Sequence, residues 1–521
     1  MSRVLAVVWI TIVFGAGAAR AQPKPDPCSG EPVNADSPAP DEPEREAPPA
    51  DEAPPPSAPP PPESKPVDTG GEVEHIVPPP RVDTGFTFGS YGRVIVGSDL
   101  RGGDPEQIKV VAHAPRIVEP TYLELQFGYG FFEHGTELRT VTTLAFDDTL
   151  FHYTGKFDAG PALRNMYLEA FPTQASELWV GSRMYRGDDI YLFDYWPLDD
   201  INTVGGGGSY DFAQNADGKQ YVRLAAHVGF NRLLNDFQYQ TREVPNPEQG
   251  ASVVTQLNRQ RVIASTTLTI NDFPDFYGRT HGKIKLHAEV QGLPSGTRLL
   301  NDMTPQTLPA DWGTTIGAQL GLWGFTDPDD TTHARHLNLF ARWSRGLSAY
   351  DELAPPTELD TSLKTFPRAS EIVFGLSGAW DTSRWNVMVG AESRRFVGAG
   401  PRTDNPDNGW EYALDVRPLA LLGHDVYAGA DLSFQARFPR GLNPTSQLAE
   451  DPGVTQIAPM LVYSPMGAHA YARPQLRLVY RAAFLNQGAL DLYVPDDPRH
   501  AHSTVHFFGL QAEWWFNSSY R

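Results

Sequence analysis

Apolar and polar residues alternate along short stretches of this chain, and the alternation is clearest near its end. Residues 508–516 read FGLQAEWWF and place apolar side chains on one face of an extended strand. The two faces carry Leu510, Ala512, Trp514 and Phe516 on one side, and Gly509, Gln511, Glu513 and Trp515 on the other. Because neighbouring residues of a strand point to opposite faces, this stretch suits a strand with lipid on one side and water on the other.

Residues 91–97, 122–129 and 473–481 show the same alternation, and turn residues separate such stretches from residue 85 to residue 521. We therefore predict an all-β fold. A soluble sandwich would alternate in the same way, with its apolar face as the core. The length of this region favours a transmembrane antiparallel β-barrel, because about ten residues per tilted strand plus loops allow sixteen to eighteen strands around an aqueous lumen.

One long apolar run lies at the start of the chain. Arg3 precedes the apolar residues 4–17, and the small-residue site Ala19-Arg20-Ala21 follows them. This arrangement is typical of a secretory signal peptide over residues 1–21. An uncleaved anchor is the alternative, although about fourteen apolar residues are short for a bilayer span. Cys28 is the only cysteine, so no intrachain disulfide is expected.

Residues 22–84 differ from the rest of the chain. They contain proline runs at 54–56, 59–62 and 78–80, with fourteen acidic and four basic side chains. Such a composition cannot bury enough apolar surface to fold, so we predict a disordered, semi-rigid spacer on the periplasmic side. Residues 85–521 keep 49 acidic against 36 basic side chains. This excess of negative charge argues against nucleic acid as a partner.

Aromatic and charged residues recur two positions apart on the predicted inner faces. The pairs are Tyr91 with Arg93, Tyr122 with Glu124, Tyr471 with Arg473, and Trp515 with Glu513. A spacing of two residues puts both side chains on one face of a strand. Saccharides offer flat CH surfaces that stack on rings and hydroxyls that bind ionised groups. Alternatively, the rings belong to the interfacial girdles and the charges only solvate the pore.

Other motifs are weaker. The glycine run 205–208 lacks the Lys-Ser/Thr of a phosphate-binding loop and is predicted to be a flexible loop. His333 with His336, and His500 with His502, have no evident third metal ligand. The sequence contains no G-x-S-x-G or H-E-x-x-H motif. We therefore expect no enzymatic activity, no metal and no cofactor.

The run GSRMYRGDDIYLFDYWPLD at residues 181–199 resembles the maltoporin, or LamB-type, carbohydrate porins in the segment that leads into their inward-folded constriction loop. Other similar segments follow the family's order along the chain. They are FGSYGR at 88–93, PRIVEPTYLEL at 115–125, PALR at 161–164, YARPQLR at 471–477 and FGLQAEWWF at 508–516. The resemblance is dense over residues 85–212 and at the C-terminal end, and faint between them.

This resemblance implies a trimeric, eighteen-stranded barrel in the outer membrane of a Gram-negative-type envelope. Through such a barrel sugars diffuse passively along an aromatic slide that is flanked by an ionic track. The slide positions correspond to Tyr91, Tyr122, Tyr471 and Trp515. The track corresponds to Arg93, Arg116, Glu124, Arg164, Asp189 and Asp194, with Trp196 in place of a tyrosine near the constriction.

The chain also departs from the family pattern. Gly187 stands where the family has a track arginine, with Arg186 beside it, and the mid-chain slide aromatic has no evident match. The acidic run around Asp189 and Asp194 could instead be a solvated surface turn.

Three function classes therefore remain. The sequence favours a carbohydrate-selective porin that contacts saccharides and outer-membrane lipid. The alternatives are a general or ion-selective porin, and an envelope tether whose proline-rich arm binds a periplasmic or cell-wall partner.

Overall fold

The structure is a computed structural model that describes residues 83–147, 160–214, 221–231, 239–246, 250–257, 259–272, 280–299, 304–325, 335–350, 365–400, 408–443 and 445–517. The predicted signal peptide, and the predicted spacer up to residue 82, lie outside these residues. In the described part of the chain no helix is both long and apolar enough to cross a membrane.

Eighteen of the described strands form one closed antiparallel sheet, which confirms the predicted all-β barrel and its strand number. The strands are β1 Gly85–Ser98, β2 Tyr122–Glu133, β3 Thr136–Asp147, β4 Ala162–Thr173, β5 Ser176–Arg186, β6 Asp200–Gln214, β7 Tyr221–Asn231, β8 Tyr239–Asn246, β9 Gly250–Leu257, β10 Arg261–Asn271, β11 His281–Leu293, β12 Gly296–Leu299, β13 Pro305–Leu308, β14 Asp311–Trp323, β15 Arg335–Gly346, β16 Ser370–Asp381, β17 Trp385–Val397, β18 Gly409–Gly423, β19 Val426–Pro439, β20 Gly453–Tyr463, β21 Gln475–Leu485 and β22 Thr504–Phe516.

Two small hairpins, β8 with β9 and β12 with β13, lie outside the barrel sheet. The described helices are short: α1 at Gln487–Leu490 and 3-10 helices at Tyr191–Phe193, Leu347–Tyr350 and Pro498–Ala501. The barrel closes because β1 pairs with β2 on one side and with β22 on the other. Closure leaves no unpaired sheet edge, which a strand protein needs in order to cross a bilayer.

The barrel is apolar outside and polar inside. On β11, Leu286 is 49% exposed, whereas its neighbours Lys285 and His287 are 8% and 2% exposed. On β14, Ile316 is 58% exposed, whereas Gln319, on the opposite face of the strand, is 2% exposed. A soluble sandwich would bury its apolar face, so the sandwich alternative is wrong for this chain. Lipid-facing strands of a membrane barrel have this inverted alternation.

The two ends of the barrel differ in the length of their connections. At one end the strands are joined by short turns, such as residues 134–135, 174–175 and 424–425, and at the other by longer segments such as 99–121 and 486–503. In outer-membrane barrels the short turns face the periplasm and the long loops face outward. We call these the turn end and the loop end.

Several connections fold into the barrel. They include the first loop (residues 99–121), the constriction loop (187–199) and the inner turn (464–474), and Ala489 and Leu490 of the connection 486–503 are buried with them. Their apolar side chains form one buried cluster with the inner walls of β15 to β21, and its members include Ile108, Val111, Ile190, Leu192, Ala468, Ala470, Val373, Met388, Ala458 and Val479. This half of the lumen is therefore packed with side chains.

A cavity of about 440 Å³ lies between the constriction loop and strands β1 to β6. Its lining includes Tyr91 and Arg93 of β1, Tyr122 of β2, Arg164 of β4 and Asp194 of the constriction loop. Open space in the lumen therefore remains along strands β1 to β6.

The glycine run 205–208 lies in the middle of β6, so the prediction of a flexible loop is wrong. The Trp179 ring lies against this strand, and a Cβ on Gly207 would come within 2.9 Å of its Nε1 atom. His227 of β7 stacks on the indole, with ring centroids 5.3 Å apart. Glycine is required here because a ring occupies the space of a side chain.

Candidate functional site

The strands that close the barrel carry two rows of alternating aromatic and charged side chains. In the register of β2, β1 and β22, the rows are Tyr122, Arg93 and Glu513, and, one step nearer the turn end, Glu124, Tyr91 and Trp515. Rings and ionised groups from both ends of the chain therefore lie together. They lie on the face that sequence alternation predicted to be the inner one.

A row of aromatic rings crosses the inner wall. The Tyr91 and Tyr122 ring centroids lie 6.0 Å apart, and those of Tyr471 and Trp515 lie 6.1 Å apart. Tyr91 is the backbone partner of Trp515 across β1 and β22, so the two pairs are continuous. The four predicted slide residues thus share one surface. Tyr471 reaches it from the inner turn, because β21 begins only at Gln475 and not at Arg473 as alternation predicted.

The row continues through three rings that sequence reasoning missed. His336 stacks on Tyr471 with centroids 5.8 Å apart, and Trp323 is the backbone partner of His336. His281 stacks on Trp323 at 5.6 Å. One signal existed in the sequence: Trp323 lies on the polar face of an otherwise clearly alternating β14.

The path of these rings runs from one end of the barrel toward the other. Tyr122 is the first residue of β2, at the loop end, whereas Trp323 is the last residue of β14 and His281 the first of β11, both at the turn end. The row of seven described rings (Tyr122, Tyr91, Trp515, Tyr471, His336, Trp323 and His281) is called the aromatic row below.

Carboxylates and guanidinium groups border the upper part of the aromatic row. Arg93 Nη1 lies 3.0 Å from Glu119 Oε1 and 3.4 Å from Asp194 Oδ2. Arg116 Nε lies 2.7 Å from Glu119 Oε2, and its Nη1 lies 3.6 Å from Asp194 Oδ1. Two acids therefore bridge two arginines. Glu119 belongs to this group although the sequence alone did not single it out.

Glu124 and Arg164 meet at the Tyr122 hydroxyl. Tyr122 donates to Glu124 Oε1 at 2.6 Å, and Arg164 forms an ion pair with Glu124 and donates to the same hydroxyl. The guanidinium carbons of Arg93 and Arg164 lie 5.3 and 5.7 Å from the centre of the Tyr122 ring. Cations on a ring face are held by its quadrupole.

The constriction loop makes a tight corner that aims Asp194 at this group. Phe193 N donates to Ile190 O at 2.8 Å, and Ile190 N donates to Tyr195 O at 2.7 Å. Asp194 adopts a left-handed backbone conformation with φ of 54°, which aspartate tolerates better than most residues. Asp189, also predicted from the sequence, accepts a hydrogen bond from Tyr471 Oη at 3.5 Å.

Lysines of β11 hold the base of the constriction loop. Lys283 Nζ donates to both Asp188 oxygens, at 2.9 and 2.7 Å, and Lys285 Nζ donates to Asp199 Oδ2 at 3.2 Å. Burial raises the pKa of the Asp188 carboxyl, but Lys283 and Lys285 outweigh burial and hold that pKa well below its usual range. The loop base is therefore ionically fixed.

Tyr191 holds the tip of the constriction loop in a group of arginines. Its hydroxyl accepts from Arg473, and from Arg477 Nη2 at 3.3 Å, and lies 3.5 Å from Glu513 Oε2. The guanidinium of Arg116 lies 5.2 Å from its ring centre. The tip is thus joined to the inner turn, β21, β22 and the first loop at one point.

Trp196, predicted near the constriction, lies apart from the aromatic row. It is 4% exposed, and the Arg186 guanidinium carbon lies 3.7 Å from its ring centre. Arg186 Nε also donates to Asp200 Oδ1 at 2.8 Å. At Gly187 the Asp199 carboxylate occupies the space that a Cβ would need. Arg186, rather than residue 187, therefore lines the cavity.

These features define a class of protein. A closed sheet with an apolar outer face, a polar lumen and an inward-folded loop is a membrane-spanning channel of the porin type. The profile described as LamB porin matches residues 86–516, and the chain belongs to that family. The resemblance seen in the sequence is thereby confirmed, and the protein is located in the outer membrane.

Solved outer-membrane proteins are similar to this barrel. The outer membrane channel DcaP of Acinetobacter baumannii is 10% identical, covers 83% of this chain and 98% of its own, and gives a TM-score of 0.41. OccAB2 of Acinetobacter baumannii is 10% identical, with coverages of 83% and 97% and a TM-score of 0.38. The outer membrane protein opdK from Pseudomonas aeruginosa is 10% identical, with coverages of 83% and 98% and a TM-score of 0.36. A comparison with curated proteins gives no significant match.

Proposed function

We propose that this porin carries saccharides across the outer membrane by passive, facilitated diffusion along the aromatic row. The observation that supports this proposal is the order of the row: four of its six neighbouring pairs of rings are stacked or tilted with centroids 5.6 to 6.1 Å apart, and the other two pairs are backbone partners on adjacent strands. A channel that only conducts ions needs charges in its lumen but gains nothing from such a sequence of rings.

The mechanism is multi-site binding without covalent chemistry. A sugar ring stacks on successive aromatic side chains while its hydroxyls donate to Glu119 and Asp194 and accept from Arg93. Each contact must guide the sugar and then release it to the next ring, because conduction requires binding that is favourable but weak. The fixed constriction loop sets how closely the sugar approaches both groups.

Two further parts of this proposal come from the sequence alone. Trimeric assembly is implied by the family resemblance, and a tethering role for residues 22–84 stays a prediction. Deleting residues 22–83 separates the two roles of the chain: unchanged sugar flux with lost envelope integrity would favour tethering by the arm.

Planar-bilayer conductance with added mono-, di- and oligosaccharides tests the transport role. We expect a concentration-dependent current block by at least one sugar. Trp515→Leu removes one ring of the row and should raise the blocking concentration about fivefold to tenfold, the equivalent of roughly 1 to 1.4 kcal/mol.

Trp514→Leu is the matched control. This neighbouring indole lies on the outer face, where its Nε1 donates to Ser90 Oγ at 3.2 Å. The control should block like the unmodified channel. Current that is indifferent to every sugar, or equal losses in the two variants, would show that the aromatic row does not guide saccharides.

A further inference from the structure

The cavity beside the constriction loop has a cationic lining. Among the described residues that line it, the charged ones are Arg93, Arg164, Arg186 and Asp194. Three guanidinium groups therefore face one carboxylate around a space of about 440 Å³. This local excess is opposite in sign to the acidic composition of the whole chain, whose formal net charge is −21.

Apart from Asp194, which pairs with Arg93, the carboxylates that pair with these arginines do not line the cavity. Glu124, the partner of Arg164, has a side chain only 3% exposed. Glu119 and Asp200, which pair with Arg93 and Arg186, have side chains 14% and 20% exposed, and neither they nor Glu124 line the cavity. Three cations and one anion of these ion pairs therefore line the open space.

Two contacts hold Arg186 in place. Its guanidinium carbon lies 3.7 Å from the centre of the Trp196 ring, and its Nε atom donates to Asp200 Oδ1 at 2.8 Å. A guanidinium that is already held loses little entropy when it binds a further planar partner. Because Gly187 has no side chain, Arg186 is the residue at this end of β5 that supplies a cation to the cavity lining.

We propose that the saccharides favoured by this channel are acidic, with carboxylate groups of the uronic acid type. The inference rests on the proposed transport function and names its substrate class. Guanidinium groups bind carboxylates through paired, charge-assisted hydrogen bonds that are about twice as strong as neutral ones. A neutral sugar offers these three cations only hydroxyl oxygens, whereas a uronate adds the negative charge that the lining lacks.

Current block by two matched sugars tests the proposal. The α-1,4-linked galacturonate trisaccharide should block the channel at a concentration about tenfold lower than maltotriose, a neutral α-1,4-linked trisaccharide of the same length. The difference should narrow as the salt concentration rises, because salt screens partly exposed charges.

Arg186→Gln removes one cavity cation, and Arg183→Gln is its control. Arg183 lies on the same strand, pairs with Glu177 at 2.8 Å and has a side chain 18% exposed, against 15% for Arg186, but it does not line the cavity. The first variant should lose about tenfold in galacturonate block with maltotriose block nearly unchanged. The control should change neither. Retained maltotriose block also shows that the variant barrel is intact.

The outcomes separate the two proposals. If neither sugar blocks the channel, the transport function itself is wrong. If maltotriose blocks as well as the galacturonate, transport stands and the acidic substrate class is wrong. If Arg183→Gln weakens galacturonate block as much as Arg186→Gln, general lumen charge explains the preference and the cavity assignment fails.

Discussion

At the scale of single residues, ion pairs determine where the constriction loop stands. Asp188 lies 2.7 Å from Lys283 Nζ and 3.6 Å from Lys285 Nζ. A carboxyl whose pKa is lowered in the folded state contributes stability at every pH above its ordinary pKa of about 3.9. That contribution is lost only as the pH falls through the lowered value.

This pH dependence can be measured in single channels. Between pH 8 and about pH 4 we expect the open-channel current of the unmodified protein to stay quiet, with added fluctuation only under more acidic conditions. Asp188→Asn should show that fluctuation already at pH 7, because the lysines lose their anionic partner. Asp104→Asn is the control: it removes the same charge from an exposed position at the start of the first loop. Quiet current from Asp188→Asn would contradict the anchoring role.

At the scale of elements, the constriction loop is a fixed partition and not a hinged gate. Lysines hold its base, Arg342 Nη1 donates to Pro197 O at 3.0 Å, and Arg116 N donates to Leu192 O at 2.9 Å near its tip. Tyr191 joins the tip to arginines from other elements. Because contacts hold its base, Pro197 and its tip, the loop is fixed along its length.

Tyr191→Phe tests the pin at the tip. The ring remains, but the hydroxyl that accepts from Arg473 and Arg477 is lost, so the loop should be less stable in place by about 1 to 3 kcal/mol. We expect noisier current and weaker discrimination among sugars of different length, both measured in planar bilayers. Tyr412→Phe, on the outer face at 39% exposure, should behave like the parent channel. An unchanged Tyr191→Phe channel would mean that the remaining pins suffice.

Sequence reasoning succeeded for elements whose information is local. Alternation placed Arg93, Glu124 and Trp515 on the inner face, and the register of β1 with its neighbours puts them there. It missed Glu119, which reaches the lumen from the first loop, and it started β21 too early, so that Tyr471 reaches the lumen from the inner turn and not from a strand. The two-residue period describes strands only, so it does not indicate which loops fold into the lumen.

At the scale of the whole molecule, the barrel is an inverted globular protein. Its lipid-facing side chains are exposed and apolar, its ionised groups are enclosed, and half of its lumen is filled by an apolar core built from connections. This asymmetry leaves the cavity along strands β1 to β6, whereas the aromatic row passes from those strands into the packed half at Tyr471 and His336.

Depth-dependent mutations test the membrane placement. Ile316→Arg puts a charge near the middle of β14 on the outer face and should destabilise the barrel by about 2 to 4 kcal/mol. Trp312→Arg, on the same strand and face but at the loop end, should cost only about 0 to 1 kcal/mol. Denaturant unfolding in lipid vesicles measures both. Equal losses at the two positions would place the bilayer elsewhere on the barrel.

The sequence by itself determined that the chain forms strands, which face of each strand meets lipid, and which family it belongs to. Those properties are local, because a two-residue period and short motifs can be recognised without knowing which strand pairs with which. Only the tertiary structure decided that Trp323 and His336 extend the aromatic row, that Arg186 takes the place left by Gly187, and that one half of the lumen is closed. These features depend on strand register and on inward-folded loops, which the alternation within a single strand does not determine.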